Sequence, residues 1–162
     1  MSASQPDRDP HDQDLIDALD GNRAVVEFKL AGLTLEQATA VVTPSGVTLL
    51  GIVTHLTQVE RLWFEATFLG LPIGGFDVDE SFRLGPSAKV EDVMTAYRGA
   101  CDRSRAIVAA SPLLDVPSRE PHWHFGTMTL RWILLHMLRE TARHAGHLDI
   151  LRELTDGATG YD

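Results

Sequence analysis

The sequence predicts an all-α protein of one domain, built as a four-helix bundle, and three observations lead to this prediction. Four separate segments carry apolar residues at alternating three- and four-residue steps, which is the period of an amphipathic helix. No convincing stretch alternates apolar and polar residues between turn signals, as a half-buried strand would. The chain has 162 residues, of which 44% are hydrophobic, enough for one core of ordinary size.

The first half of the chain predicts a tail and two long helices. Residues 1–13 are polar and acidic and predict a disordered tail, so that the domain is expected over 14–158. The first helix is predicted over Leu15–Leu30, with a short helix over Leu33–Ala40 after it. A cluster of Thr, Pro, Ser and Gly then separates these from a second long helix over Val47–Leu69.

The second half predicts two further helices separated by long connections. Residues 70–86 are rich in Gly and Pro and predict a loop, after which Ser87 is the expected N-cap of a third helix over 88–110. A second loop over 111–126 precedes the fourth helix, predicted over 128–154. Loops of this length in a compact domain are often functional, so both are expected to contact a substrate.

The net charge of −9 and the pI of about 5.1 exclude some classes of partner. A nucleic acid or an anionic membrane surface needs a basic face, so neither is expected, and a small-molecule substrate is. The longest apolar run is too short to span a bilayer, and the N-terminus lacks the apolar segment of a signal peptide. The single cysteine, Cys101, allows no intramolecular disulfide, so a cytoplasmic location is predicted.

The apolar stripe of the fourth helix holds Glu140 and His144 where leucine would be expected. A carboxylate on a core-facing stripe is costly unless it is paired or bound to a metal. Residues four apart project from the same helix face, and this spacing suits two ligands of one divalent ion. The alternative is a buried salt bridge between Glu140 and an arginine of another helix.

A metal site for chemistry needs a third protein ligand from another helix, and His55 is the natural donor. It lies in the second helix among Ile52, Val59 and Leu62, on the side predicted to face inward. The alternative is that His55 is a buried core residue that forms hydrogen bonds within the protein and binds no metal. The predicted metal ligands are therefore His55, Glu140 and His144.

The remaining polar candidates have weaker signals. His136 lies four residues before Glu140 and is the candidate for proton transfer, or it orients Glu140. His147 is expected to be structural rather than a fourth ligand. His122 and His124 form an H-x-H pair in the loop that holds Trp123 and Phe125, which predicts at most a lid over the site. Cys101 is expected to be a small buried hydrophobe.

Two segments carry a resemblance to a known family: His55–Phe64, and Leu134–His147 with its ending Glu-Thr-Ala-Arg-His-Ala-Gly-His. Together they resemble the DinB-like (DinB/YfiT) superfamily of four-helix bundles, and within it the mini-circle protein branch. The resemblance implies a metal triad of one histidine on the second helix and an H-x-x-x-H pair near the end of the fourth. The glycine after the second ligand places His144, not His147, at that position.

Position 140 departs from the common pattern, because it holds glutamate instead of histidine. In this respect the chain is similar to the mycothiol-dependent maleylpyruvate isomerases, which have a His, Glu, His set. The resemblance therefore implies a divalent metal, with zinc expected and nickel as the alternative. It also implies a low-molecular-weight thiol such as mycothiol or bacillithiol as cosubstrate.

Two hypotheses from different classes follow. The first is a metal-dependent enzyme, either a thiol transferase or isomerase acting on a small electrophile or a hydrolase. The second is a non-catalytic helical bundle with a structural metal or none, acting as a homodimeric interaction module. An open cavity at the metal residues favours the first hypothesis, and a closed site or an arginine paired with Glu140 favours the second.

Overall fold

The computed structural model describes residues 8–160, and within this range the chain is helical without any strand. Its α-helices, in chain order, are α1 (Pro10–Leu30), α2 (Leu35–Ala38), α3 (Leu49–Glu60), α4 (Val90–Ala109) and α5 (Leu130–Asp156). A π-helix over Arg61–Phe68 continues α3, and a 3-10 helix covers Glu80–Phe82. The all-α prediction is confirmed.

Helix α1 begins earlier than the sequence pattern indicated. Asp9 caps it by accepting a hydrogen bond from the backbone N–H of His11 at 2.8 Å, and Pro10 occupies the first turn. An aspartate followed by proline is a strong start signal, because proline needs no N–H there. Residues 10–13 therefore belong to the helix and not to the predicted tail; residues 1–7 of that tail lie outside the described range.

The predicted second helix changes its winding part-way. Helix α3 starts after Thr48, whose side chain accepts a hydrogen bond from the N–H of Gly51 at 3.1 Å, and gives way to the π-helix at Arg61. A π-helix is rare, and such departures from α-helical winding are frequent at functional sites. A 3.6-residue pattern contains no sign of this change, so the prediction of one regular helix was wrong in this part.

The ends of α4 and α5 lie within two residues of their predicted positions. Thr129 caps α5 by accepting a hydrogen bond from the N–H of Trp132, and Gly157 ends it in the left-handed conformation with φ of 79°. The predicted cap of α4 is wrong: Lys89, and not Ser87, occupies the N-cap position, without a side-chain hydrogen bond.

The long helices pack in pairs around two clusters of buried apolar side chains. Helix α1 packs along α5, α3 packs along α4, and α3 also contacts α5. One cluster joins α1, α3, α4 and α5 and includes Val26, Ile52, Tyr97 and Leu148. The other lies around the π-helix and includes Leu19, Trp63, Phe64, Ile133 and Met137. Helices α3 and α5 therefore face each other where the sequence predicted the metal residues.

The two long connections are attached to the helices rather than free. Phe68 and Thr67, at the end of the π-helix, accept backbone hydrogen bonds from Arg119 and Glu120 of the second connection at 3.0 and 3.1 Å. Two backbone hydrogen bonds between His122 and Gly126, of 2.9 and 2.8 Å, close a hairpin at its tip.

None of the helices described is long and apolar enough to cross a membrane.

Candidate metal centre

His55, Glu140 and His144 come together between α3 and α5. Each offers one ligand atom, and the three atoms lie within 4.8 Å of one another. The Nε2 atom of His144 is 3.0 Å from Oε1 of Glu140, and Nε2 of His55 is 3.4 Å from the same oxygen. Two imidazoles and one carboxylate are a donor set that suits Zn²⁺. We call this cluster the triad.

A fixed chain of hydrogen bonds orients His55. The hydroxyl of Ser81 donates to the carbonyl of Val78 at 2.5 Å, so its oxygen is free to accept from Nδ1–H of His55 at 2.6 Å. The ring also stacks on Phe82, with 4.1 Å between centroids and 6° between planes. The 3-10 helix Glu80–Phe82 thus holds the imidazole through Nδ1, the nitrogen that does not face Glu140, as partners of metal-binding histidines do.

This arrangement leaves two electron-pair donors facing each other. With its proton on Nδ1, a neutral His55 presents a lone pair at Nε2, and the carboxylate of Glu140 has no proton to offer it. Hydrogen bonding by His144 holds the pKa of Glu140 far below its ordinary value, so the carboxylate is charged. A positive charge between Nε2 and Oε1, carried by a proton or a metal ion, removes the repulsion. The triad therefore fits a divalent cation.

The third member, His144, is buried, and one of its nitrogens lacks a partner. Among residues 8–160 nothing accepts or donates a hydrogen bond at Nδ1, whereas Nε2 bonds to Glu140. A buried polar atom without a partner costs free energy. The ring of His144 lies against that of His55, with 4.9 Å between centroids, so the two imidazoles also pack against each other.

Among the described residues Glu140 does not form the alternative, a salt bridge with an arginine of another helix. The ion pairs of Glu140 are with His55 and His144, and the buried carboxylate–arginine pair of the fold is Glu60 with Arg23. That pair is bidentate, with 2.8 Å from Nε to Oε1 and 2.7 Å from Nη2 to Oε2. The sequence analysis did not single out either residue.

The triad opens into a cleft of about 700 Å³. One wall comes from the first long connection and includes Phe76, Asp77, Val78 and Asp79. The opposite side holds helix residues and the hairpin: Val59, Leu62, Trp63, His136, His122 and Trp123, with His55 and Glu140 at the triad. A cavity of this size is in the range of small-molecule sites. Both long connections contribute to it, as the sequence predicted.

His136 lies in the same cleft but outside the triad. Its ring stacks on Trp132, with 8° between planes, and lies 4.4 Å from the centroid of Trp63. Burial among these aromatic rings lowers its pKa, so the imidazole is neutral at neutral pH. A neutral imidazole can accept a proton, which is the role that the sequence predicted for it.

The family model described as mycothiol-S-transferase matches residues 14–157, nearly the whole chain. The chain belongs to the mycothiol-S-transferase family. This family is DinB-like, so the resemblance seen in the sequence is confirmed. No curated protein and no solved structure gives a significant match.

The other predicted candidates of this mycothiol-S-transferase family member do not belong to the triad. His147 is exposed, and its ring is 5.4 Å from that of His144. His122 stacks on Trp63, and its Nδ1 accepts a hydrogen bond from the N–H of His124. Cys101 is buried beside Glu60, and desolvation first and then that carboxylate raise its pKa to about 12, which keeps the thiol protonated.

A second cavity of about 470 Å³ lies away from the triad, lined in part by Arg8, Arg23 and Arg105. Two of its arginines are paired with carboxylates. Arg23 binds Glu60 and Asp20, and Arg105 binds Asp20 and Asp102, with distances between 2.7 and 3.0 Å. Arg8 instead donates through Nη2 to the backbone carbonyls of Val108 and Ser111 at 2.9 and 3.1 Å, and its buried Nη1 has no hydrogen-bond partner among residues 8–160.

Two residues that contact His55 were not predicted from the sequence. Ser81 and Phe82 hold His55 in place, yet they lie 26 and 27 positions after it in a loop without periodicity. A weak signal was available, because the phenylalanine follows a serine in a Gly- and Pro-rich loop that was itself predicted to contact substrate. Nothing in the spacing tied that loop to His55.

Proposed function

We propose that this protein is a metal-dependent transferase that joins mycothiol to a small electrophile in the cytoplasm. The observation that carries the proposal is the triad at the edge of an open cleft, in a chain of the mycothiol-S-transferase family. The proposed scaffold is a DinB-like four-helix bundle, supported by the pairwise packing of α1, α3, α4 and α5. Zinc is the proposed metal, because two imidazoles and one carboxylate suit it.

The proposed metal ligands are His55, Glu140 and His144. When bound there, a divalent cation supplies positive charge that lowers the pKa of a nearby thiol, so that thiolate is available near neutral pH. Ser81 and Phe82 orient His55 for this purpose, and the half-exposed Glu140 joins the triad to the cleft. The three protein ligands leave room for a cosubstrate, as in catalytic zinc sites.

His136 is the proposed proton acceptor. The proton of the thiol passes to a nitrogen of its neutral imidazole, the sulfur forms a bond to the electrophilic carbon, and the leaving group departs with the electrons of the broken bond. The lowered pKa of His136 supports this role, since the imidazole is unprotonated when the thiol arrives. The aromatic rings of Trp63 and Trp132 fix its orientation.

The same observations weigh against a purely structural bundle. A metal that only ties two helices together needs no cavity, whereas the triad borders about 700 Å³ of open space. The triad and the cleft are also complete within one chain, so the proposed reaction needs no second subunit. A homodimer stays a separate prediction, which light scattering of the purified protein tests.

The proposal is tested by metal analysis and a transfer assay on the same preparations. Protein purified without chelator or a nickel column should contain about one zinc per chain and should conjugate mycothiol to monochlorobimane, with chloride as the leaving group. Glu140→Gln and His55→Ala should lose metal and activity together. His147→Ala is the matched control, because this histidine is exposed and lies outside the triad. Full activity of Glu140→Gln or His55→Ala without metal would refute the proposal.

A further inference from the structure

A second groove adjoins the cleft and shares three of its lining residues. It measures about 590 Å³, and the residues common to both are Leu62, His122 and Trp123. One wall is the start of the first connection, residues 70–75, and the other is residues 120–123 before the hairpin tip. We call it the side groove. Because the two cavities share these residues, the side groove lies beside any molecule bound in the cleft.

The lining of the side groove differs in chemistry from that of the cleft. Among the described residues that line it, only Glu120 and the shared His122 carry a titratable side chain. The remainder is hydrocarbon, backbone or hydroxyl, including Ala66, Pro72, Ile73 and Pro121. Such a surface offers burial of apolar area and few specific polar contacts.

Two large apolar side chains at the rim of the side groove stand in water. Leu71 is 48% exposed, and Trp123, at the junction with the cleft, is 89% exposed. Burying an exposed indole and an exposed isobutyl group releases free energy, and in this structure both groups remain in contact with water. A ligand chain lying in the groove would cover both.

The walls of the side groove are fixed before any ligand arrives. Thr67 and Phe68 accept backbone hydrogen bonds from Glu120 and Arg119, and the N–H of Leu71 donates to the carbonyl of Glu65 at 2.9 Å. Two backbone hydrogen bonds close the hairpin beyond it. A preformed groove binds without a large ordering cost.

We propose that the side groove binds the apolar chain of the electrophile, whose reactive carbon lies in the cleft beside the triad. The inference rests on the proposed function and names its substrate class, electrophiles with an extended hydrocarbon tail such as long-chain 2-alkenals. With an alkenal, the thiol sulfur bonds to the β carbon, and the α carbon takes the proton that the thiol lost. The addition has no leaving group and needs no oxidant or reductant.

The first test measures binding and does not depend on the transfer reaction. The probes are saturated alcohols, 1-butanol, 1-hexanol, 1-octanol and 1-decanol, titrated into the wild type by calorimetry and by tryptophan emission. Each added methylene should tighten binding by about two- to fourfold, and the emission of the exposed Trp123 should shift to shorter wavelength. Leu71→Asp should flatten the dependence on chain length. Val41→Asp, at an exposed valine outside the side groove, is the matched control and should behave as wild type.

Both variants replace exposed side chains, and their melting curves check that they fold. Alcohol binding that is independent of chain length, or equal in Leu71→Asp and Val41→Asp, overturns the proposal. Binding that follows chain length in the wild type and the control, and not in Leu71→Asp, supports it.

The second test runs the transfer of mycothiol to 2-butenal, 2-hexenal, 2-octenal and 2-decenal, each corrected for the uncatalysed rate. The value of kcat/KM should rise along the series in the wild type and less steeply in Leu71→Asp. Transfer with a flat series overturns the side groove as the tail site and leaves the proposed function intact. Absence of transfer to every electrophile, with length-dependent alcohol binding, refutes the proposed function and still supports an apolar-chain site.

Discussion

Arg23 of α1 and Glu60, the last residue of α3, form a bidentate ion pair in which both side chains are almost completely buried. The carboxylate uses both oxygens, and Arg23 has a further contact to Asp20 at 2.8 Å. This pair lies where α3 passes into the π-helix, so it ties that change of winding to α1. The stability of the fold should depend strongly on both residues, because neither charge is exposed to water.

Glu60→Gln should destabilise the fold by up to about 3–5 kcal/mol, since it removes the buried bidentate partner of Arg23 and leaves only the contact with Asp20. The double variant Arg23→Met with Glu60→Leu should recover much of this loss, because apolar side chains can fill the space of a buried pair. Urea unfolding measures both. Arg98→Ala, which breaks the more exposed pair with Glu27, should cost less than about 1 kcal/mol and serves as the control.

Ser81→Ala should weaken zinc binding by about 10- to 100-fold, the usual effect of removing a hydrogen-bond partner of a metal-binding histidine. The variant frees Nδ1 of His55 and lets the ring rotate or change tautomer. Ser87→Ala, in an exposed part of the same connection, is the matched control. A competition titration with a chromogenic chelator gives the affinities, and equal values for the two variants would contradict this role of Ser81.

Gly51→Ala should lower both stability and zinc affinity. A Cβ at this position would lie 2.9 Å from the carbonyl oxygen of Phe82, closer than atoms can pack, so the 3-10 helix must shift away from α3. We expect a cost of about 1–3 kcal/mol. Gly21→Ala, where a Cβ meets nothing within 4 Å in the middle of α1, should instead stabilise by about 0.5–1 kcal/mol. Unfolding and zinc titration of both proteins make the comparison.

The lowered pKa of His136 predicts a pH dependence of stability. Burial lowers the folded-state pKa below the ordinary 6.5, so below that pH the unfolded chain binds more protons than the folded one. Folded stability is therefore complete above pH 6.5 and falls as the pH drops toward the folded-state pKa. His136→Phe keeps an aromatic ring against Trp132 and removes the proton site. In the presence of chelator, the stability of wild type relative to His136→Phe should decrease below pH 6.5, with a slope of at most about 1.4 kcal/mol per pH unit.

Adding zinc should raise the melting temperature, because an ion bound only by the folded state stabilises it. At a free concentration of 100 times Kd the gain is about 2.7 kcal/mol. Glu140→Gln should show a smaller gain at the same concentration, since it removes the charged ligand of the triad. Identical melting curves of the wild type with zinc and with excess chelator, at verified metal loss, would contradict a buried ligand set.

The sequence predicted the triad because its members interrupt regular apolar stripes. On α5, the residues Leu130, Ile133, Met137, Leu148 and Leu151 are buried, and His144 is buried in the same stripe. On α3, the inward side that holds Ile52 and Val59 also buries His55. Periodicity therefore located each residue on its helix. The meeting of α3 with α5 is a tertiary fact that the family resemblance, and not the spacing, made predictable.

The parts that the sequence did not reveal depend on contacts between distant segments. Arg23 lies on the same buried stripe of α1 as Leu19, Val26 and Leu30. A charged residue at such a position is a sequence signal for a buried ion pair, and it was not used in the prediction. Glu60 gave a comparable but weaker sign at the end of its helix. The π-helix and the 3-10 helix have no periodic signature, because both are short departures from regular winding.

The first long connection belongs to two surfaces at once. Asp77, Val78 and Asp79 face the cleft, and the next two contacts along the chain, through Ser81 and Phe82, hold the imidazole of His55. A molecule that displaces this wall therefore also changes how firmly His55 is oriented. Linked equilibria are reciprocal: whatever factor such a molecule imposes on cation affinity, the cation imposes on the affinity for that molecule. Cation binding at the triad and ligand binding in the cleft are then thermodynamically coupled, through five residues of the segment 77–82 and their contact with His55 on α3.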